Sequence, residues 1–286
     1  MSNVHTTSDK TEEIRRAIVE AVTAVKATHP MVPSITNTIT INLVANAQLA
    51  VGGSAAMVYL PDEAEALALM GGAFYVNVGG LLPIYEETLP HVARVLHEHA
   101  KPWVLDPVAV GIGRLRTAAL SQFKLYKPSV IRGNASEIIA LAGLWQLDGE
   151  DASRVRGVDS VDSVTSATVA AVALARWTGG AVAVSGETDL VTDGTVVVRS
   201  FGGSHFMTKI TGAGCSLGGV TAVYATASGP FIAALTGTAV YNLAGRRAGA
   251  RSEAPAQFQT EFLNELYQAS AEDIADNPFE IEEVLS

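Results

Sequence analysis

Residues 103–132 open with Trp103-Val104-Leu105-Asp106-Pro107, continue through an amphipathic run at Arg114–Leu125, and close on Ser129-Val130-Ile131-Arg132. An apolar β-rich run, a helical run and a second β-rich run make a βαβ unit, whose two strands are parallel because the crossover is long. The same alternation extends in both directions. Further strands are expected at Ala55–Tyr59, Phe74–Val78 and Ala181–Ser185, and further helices at Ile84–His99 and Val164–Trp177. An α/β fold follows, with a mostly parallel central sheet and helices on both faces. Asp193-Gly194 between Leu190–Thr192 and Thr195–Arg199 is a hairpin signal, so one edge turns antiparallel. From Gly214 onward the pattern is helical, at Leu217–Ala227, Pro230–Arg247 and Pro255–Ala271. The chain divides into an amphipathic helical extension, residues 1–28, expected outside the core, and one domain spanning 29–286. A surface excursion rich in Gly, Asp and Ser is expected at Leu144–Asp162.

Composition narrows the function. Of 286 residues, 48% are hydrophobic and 17% charged, which supplies a large core and excludes a disordered or fibrous chain. Cys215 is the only cysteine, so no intrachain disulfide forms. The amino-terminal residues lack the apolar stretch of a signal peptide, and no apolar run reaches the roughly 20 residues that span a bilayer. A cytoplasmic, soluble protein is expected, with no membrane partner. The net charge is −10, and nine of the 29 acidic residues lie beyond Arg251. Without a basic stripe, nucleic acid is not an expected partner. An anionic substrate must then be held by local donors and a metal.

Three segments carry chemistry. Thr211-Gly212-Ala213-Gly214-Cys215 stands between a β-rich region and a helical run. Its glycines let the backbone turn sharply, and the helix behind it aims unpaired N–H groups at a phosphate. No Gly-Lys-Ser/Thr follows, so it is not a Walker loop, and it comes too late in the chain for a dinucleotide fingerprint. Alone it reads equally as a tight turn into a packed helix. Asp106 ends an apolar strand, the edge at which open α/β sheets bind ligands. Arg132-Gly133-Asn134-Ala135-Ser136-Glu137 follows another strand and adds a cation and a carboxylate at that edge. Asp106 and Glu137 are the candidate magnesium ligands, directly or through waters, and Arg132 suits phosphate oxygens. A strand-end turn for Asp106 and a surface ion pair for Arg132 and Glu137 are the plainer readings. Cys215, at a helix start, is expected to have a lowered thiol pKa.

Together with Ile35-Thr36-Asn37 and Ser185-Gly186-Glu187, these segments resemble the hydroxyethylthiazole kinase family of the ribokinase-like superfamily, in order from about residue 30 to about 250. The resemblance implies the three-layer α/β/α ribokinase-like fold. It implies ATP-dependent phosphorylation of the alcohol of hydroxyethylthiazole, the thiazole precursor of thiamine. Asn37 and Met57 would then line the thiazole pocket, with Gly212 beside the substrate. Arg132 and Ser185 would hold ATP, although Ser185 stands where the family has threonine. Gly212, Ala213 and Gly214 would cradle the transferring phosphoryl, and Cys215 occupies the position of the aspartate base of related sugar kinases. A homotrimer with active sites between subunits is also implied. Read without it, Met57 is a core residue and Asn37 a helix cap for Thr38–Val51. A kinase of another small alcohol and a nucleotide-dependent NAD(P)H-hydrate dehydratase remain alternatives, the latter lacking its usual aspartate in the glycine loop.

Overall fold

Apolar side chains alternate sides along Phe74-Tyr75-Val76, and the two sides enter different cores: Tyr75 one, Phe74 and Val76 the other. The computed structural model describes residues 7–147 and 161–283. The chain runs α1 (Thr7–Thr28), β1 (Met31–Ile35), α2 (Ile41–Ala50), β2 (Ser54–Met57), α3 (Pro61–Met70) and β3 (Phe74–Asn77). It continues with α4 (Tyr85–Glu98), β4 (Trp103–Asp106), α5 (Arg114–Tyr126), β5 (Val130–Asn134), α6 (Ala135–Leu144) and α7 (Val161–Thr178). Then follow β6 (Ala181–Ser185), β7 (Asp189–Thr192), β8 (Val196–Ser200) and a 3₁₀ turn (His205–Lys209). The last elements are α8 (Ala213–Tyr224), α9 (Pro230–Arg251), α10 (Pro255–Gln268), α11 (Ala271–Ala275) and β9 (Phe279–Glu283).

The strands form one nine-stranded sheet ordered β2-β1-β3-β4-β5-β6-β7-β8-β9. Pairing is parallel from β2 to β6 and antiparallel from β6 to β9, and the hairpin at Asp193-Gly194 joins β7 to β8 within that antiparallel edge, as expected. Residues of α1, α2, α8, α9 and α10 bury one face, and residues of α3 to α7 the other. From β1 the chain goes to β2 on one side and then to β3 on the other. That reversal opens a crevice at the carboxyl ends of β1 and β3, the position where such sheets take ligands.

The amino-terminal helix departs from expectation. Ile18, Ala21, Val22 and Val25 are at most 1% exposed, and Ile18, Val22 and Val25 belong to the same core cluster as Tyr75 of β3 and the buried residues of α8. The amphipathic pattern was legible, but not that its apolar face meets α9 and α11. Two strands went unread. β1 contains Pro33 and Ser34, which mask its apolar pattern, and its ladder with β3 begins at Ser34. β9 alternates Phe279 and Ile281, packed on the core, with Glu280 and Glu282, so part of the acidic tail is an edge strand. Of the expected excursion at Leu144–Asp162, residues 148–160 lie outside the described residues.

Candidate active site

The carboxyl ends of β1, β3, β4, β5 and β6 deliver Asn37, Asn77, Asp106, Arg132 and Ser185 to one edge of the sheet. The glycine loop closes over them. Gly212 caps α8 with a φ of 95°, a left-handed conformation that glycine adopts freely. A Cβ there would also stand 2.9 Å from the Cβ of Thr40. The Ser216 amide is already bonded to the Gly212 carbonyl. The N–H groups of Ala213, Gly214 and Cys215 belong to the first helical turn, where no intrahelical acceptor exists.

Arg132 crosses beneath this loop and is 7% exposed. Its Nη2 donates to Ser185 Oγ at 2.8 Å, and its Nη1 lies 3.5 Å from Asp106 Oδ2. Asp106 is fully buried. Its Oδ2 also accepts from Asn77 Nδ2 at 2.9 Å and faces Tyr75 Oη at 3.1 Å, while Oδ1 has no protein partner. Burial raises the Asp106 carboxyl above its ordinary range, and Arg132 opposes that. Burial, then Asp106 and Cys215, push the Tyr75 phenol well above its ordinary value.

Across the loop, Asn37 is almost buried. Its Oδ1 accepts from the Ile39 and Thr40 amides, at 3.2 and 3.0 Å, which shapes the turn into α2. Its Nδ2 reaches Asn77 Oδ1 at 3.2 Å and Cys215 Sγ at 3.6 Å. Asn37 therefore shapes the turn ahead of α2 and does not cap it, contrary to the expectation of a cap for Thr38–Val51, because α2 begins at Ile41 behind Thr40. Met57 ends the edge strand β2, paired with Ser34 and partly buried against the core.

Cys215 departs from expectation. Its thiol pKa is raised, by burial first and Asp106 second, against weaker contrary effects of Thr40, Arg132 and Asn77. Desolvation outweighs the helix start. Glu137 has a local task as well: its Oε2 accepts from the Asn134 amide at 2.9 Å while Asn134 Oδ1 accepts from the Glu137 amide, a reciprocal capping box. Among the described residues no cluster of three or more His, Cys, Asp or Glu side chains forms a metal cage. Magnesium needs none, because it binds through one or two carboxylates, waters and substrate phosphates. The unpartnered Asp106 Oδ1 and the partly exposed Glu137 fit that donor set.

Arg132 also lines a cleft of about 770 Å³, together with Ser185, Gly186, Met207, Gly214 and Asn242 among others. This size suits a nucleotide-sized ligand. Asn77, Tyr75 and the cleft residues Met207 and Asn242 were missed in the sequence. An asparagine ending an apolar strand, as Asn77 does, was the available signal.

A mostly parallel sheet covered by helices on both faces, with a nucleotide-sized cleft walled in part by Ala213 and Gly214 of the glycine loop, is the architecture of the ribokinase-like small-molecule kinases. A ribokinase-like superfamily protein from Enterococcus faecalis has the same fold, with a TM-score of 0.56 at 14% identity over 84% of this chain and 88% of that one. The hydroxyethylthiazole kinase structure from Pyrococcus horikoshii superposes with a TM-score of 0.81 at 27% identity, covering 94% of this chain and all of that one. A hydroxyethylthiazole kinase of Bifidobacterium adolescentis is 50% identical over 96% of this chain and 97% of its own length. The model of the hydroxyethylthiazole kinase family matches residues 22–272, and the chain belongs to that family.

Proposed function

We propose that the chain transfers the terminal phosphoryl group of ATP to the hydroxyethyl alcohol of 4-methyl-5-(2-hydroxyethyl)thiazole, in thiamine biosynthesis or salvage. The observation that carries this reading is the single cleft that Ala213 and Gly214 of the glycine loop share with Arg132 and Ser185. The cleft beside Arg132 and Ser185 suits ATP, and the side chains that would meet the small aromatic alcohol are Asn37, which hydrogen-bonds Asn77 and Cys215, and Met57 at the neighbouring strand end.

Phosphoryl transfer passes through a loose transition state, so positioning and charge neutralisation count for more than a strong base. The amides of Gly212, Ala213, Gly214 and Cys215 cradle the transferring group, and Arg132 meets the phosphate oxygens. Glu137 and Asp106 would hold magnesium, which when bound neutralises charge on the nucleotide. Asp106 also keeps Arg132 aimed. Cys215, held as a neutral thiol, orients the alcohol by hydrogen bonding. The cytoplasm, where ATP is plentiful and a lone thiol stays reduced, suits such an enzyme.

The test is ATP consumption measured against a panel of thiazole, pyrimidine and sugar alcohols. Turnover restricted to the thiazole is expected, and preference for a pyrimidine or sugar would overturn the substrate. A homotrimer with shared active sites is proposed with it, supported by the exposed apolar residues Ile39, Leu60 and Met70. Light scattering that shows a monomer at micromolar concentration would remove the trimer without touching the reaction.

A further inference from the structure

Tyr75 is fully buried on β3, with its ring toward α8. Its hydroxyl lies 2.7 Å from the carbonyl oxygen of Cys215 and 3.1 Å from Asp106 Oδ2, and it accepts from Asn77 Nδ2 at 3.1 Å. One phenolic proton therefore serves two acceptors, weighted toward the shorter contact with the loop helix. The ring is fixed independently by shape. A Cβ on Gly218 would sit 2.4 Å from its Cε2 and 2.8 Å from its Oη, so the ring fills the space that Gly218 leaves open, one turn behind the loop. The side chain thus grips α8 twice, at its first turn by a hydrogen bond and at its second by packing. The same hydroxyl touches the carboxylate that holds Arg132.

We propose that Tyr75 is a positioning residue for phosphoryl transfer: its hydroxyl ties the Cys215 carbonyl to the Asp106–Asn77 pair and so sets the distance between the loop amides and Arg132. It touches neither substrate. The inference rests on the kinase reading above and extends it to a residue that acts through the loop. A group that only supported the fold would be felt in stability and equally in every kinetic constant. A group that sets the loop is felt in turnover, because a displacement of about 1 Å at reacting atoms costs as much as ~100-fold in rate.

The experiment compares the full chain with Tyr75→Phe, which keeps the ring against Gly218 and removes only the hydroxyl. Turnover on the thiazole alcohol should fall by about 10- to 100-fold, with KM for ATP and for the alcohol changed less than about twofold. Amide hydrogen exchange without ligand should accelerate in residues 213–219 and stay unchanged in α4 and α5. Gly218→Ala, which collides with the ring, should lower the melting temperature. Unchanged turnover and unchanged exchange in Tyr75→Phe would overturn the inference, as would a rise in KM at constant kcat. Should the unaltered enzyme not act on the thiazole alcohol, the functional reading fails, and the exchange result alone decides the role of Tyr75.

Discussion

The guanidinium of Arg132 occupies the space that a side chain on Gly214 would need: a Cβ at residue 214 would lie 2.7 Å from Nη1 and 2.9 Å from Nη2. Arg132 cannot swing aside cheaply, because Asp106 and Ser185 hold it and it is nearly buried. Gly214→Ala should therefore displace the guanidinium and weaken its pairing with Asp106. Breaking a buried ion pair costs on the order of 3–5 kcal/mol, so partial loss is expected in both stability and ATP affinity. The measurement is KM for ATP together with the melting temperature. A variant with unaltered values for both would show that Arg132 has room the contacts deny it.

Gly212 and Cys215 are neighbours with opposite expected sensitivities. Gly212→Val forces a β-branched residue to a φ of 95° and drives its Cβ into Thr40, so turnover should fall by ~100-fold or more. Cys215→Ser keeps every loop amide in place. Its loss should stay within about tenfold, against the 10²–10⁴ that a general base supplies. Cys215→Asp should work at least comparably to the serine variant, since a carboxylate is the better proton acceptor and Asn37 can donate to it, although burial and Asp106 will raise its pKa. Turnover of both Cys215 variants reduced below detection, with circular dichroism unchanged, would make the thiol essential.

The pH behaviour of Cys215 follows from the sign of its shift. A raised thiol pKa means that the reactive thiolate is scarce near neutrality and appears only at more alkaline pH. Alkylation by iodoacetamide at pH 7 to 8 should be slower than that of a free thiol, and its rise should lag on the alkaline side. Faster alkylation at pH 7 would restore the sequence expectation of an acidic thiol.

Glu137→Gln separates the capping role of that residue from its proposed role at magnesium. Glutamine still accepts from the Asn134 amide, so the capping box and α6 should persist. The lost charge should cut magnesium-dependent turnover by roughly 100-fold, in the range for removing a preorganised electrostatic group. Full activity in excess chelator, or in the glutamine variant, would argue against a metal at this carboxylate.

Removal of residues 1–28 should not leave a stable remainder. Burying each of Ile18, Val22 and Val25 contributes about 1.5–3 kcal/mol, together comparable to the ~5–15 kcal/mol stability of a whole domain. Loss of cooperative unfolding or of soluble expression is expected. A truncated chain with the parent melting temperature would mean that the helix is an extension after all.

The alternation of strands and helices through the middle of the chain, the antiparallel edge at Asp193-Gly194 and the glycine loop were legible because each depends on residues close in sequence. Turn residues, apolar periodicity and helix starts are local properties, and Asp106, Arg132 and Gly212 could be singled out from them. What the neighbours in space do was not legible. Asn77 and Tyr75 read as ordinary strand residues until the crossover between β1 and β3 sets them beside Asn37 and Asp106. Cys215 read as an acidic thiol because its helix start is visible in the sequence, whereas the burial that reverses the shift comes from strands more than 100 residues earlier in the chain. The amphipathic face of α1 was visible, but which surface would cover it was not, since that depends on α9 and α11 folding back over the sheet. Local geometry is set by the chain's own sequence, while desolvation is set by whatever packs against it, and that only the tertiary structure decides.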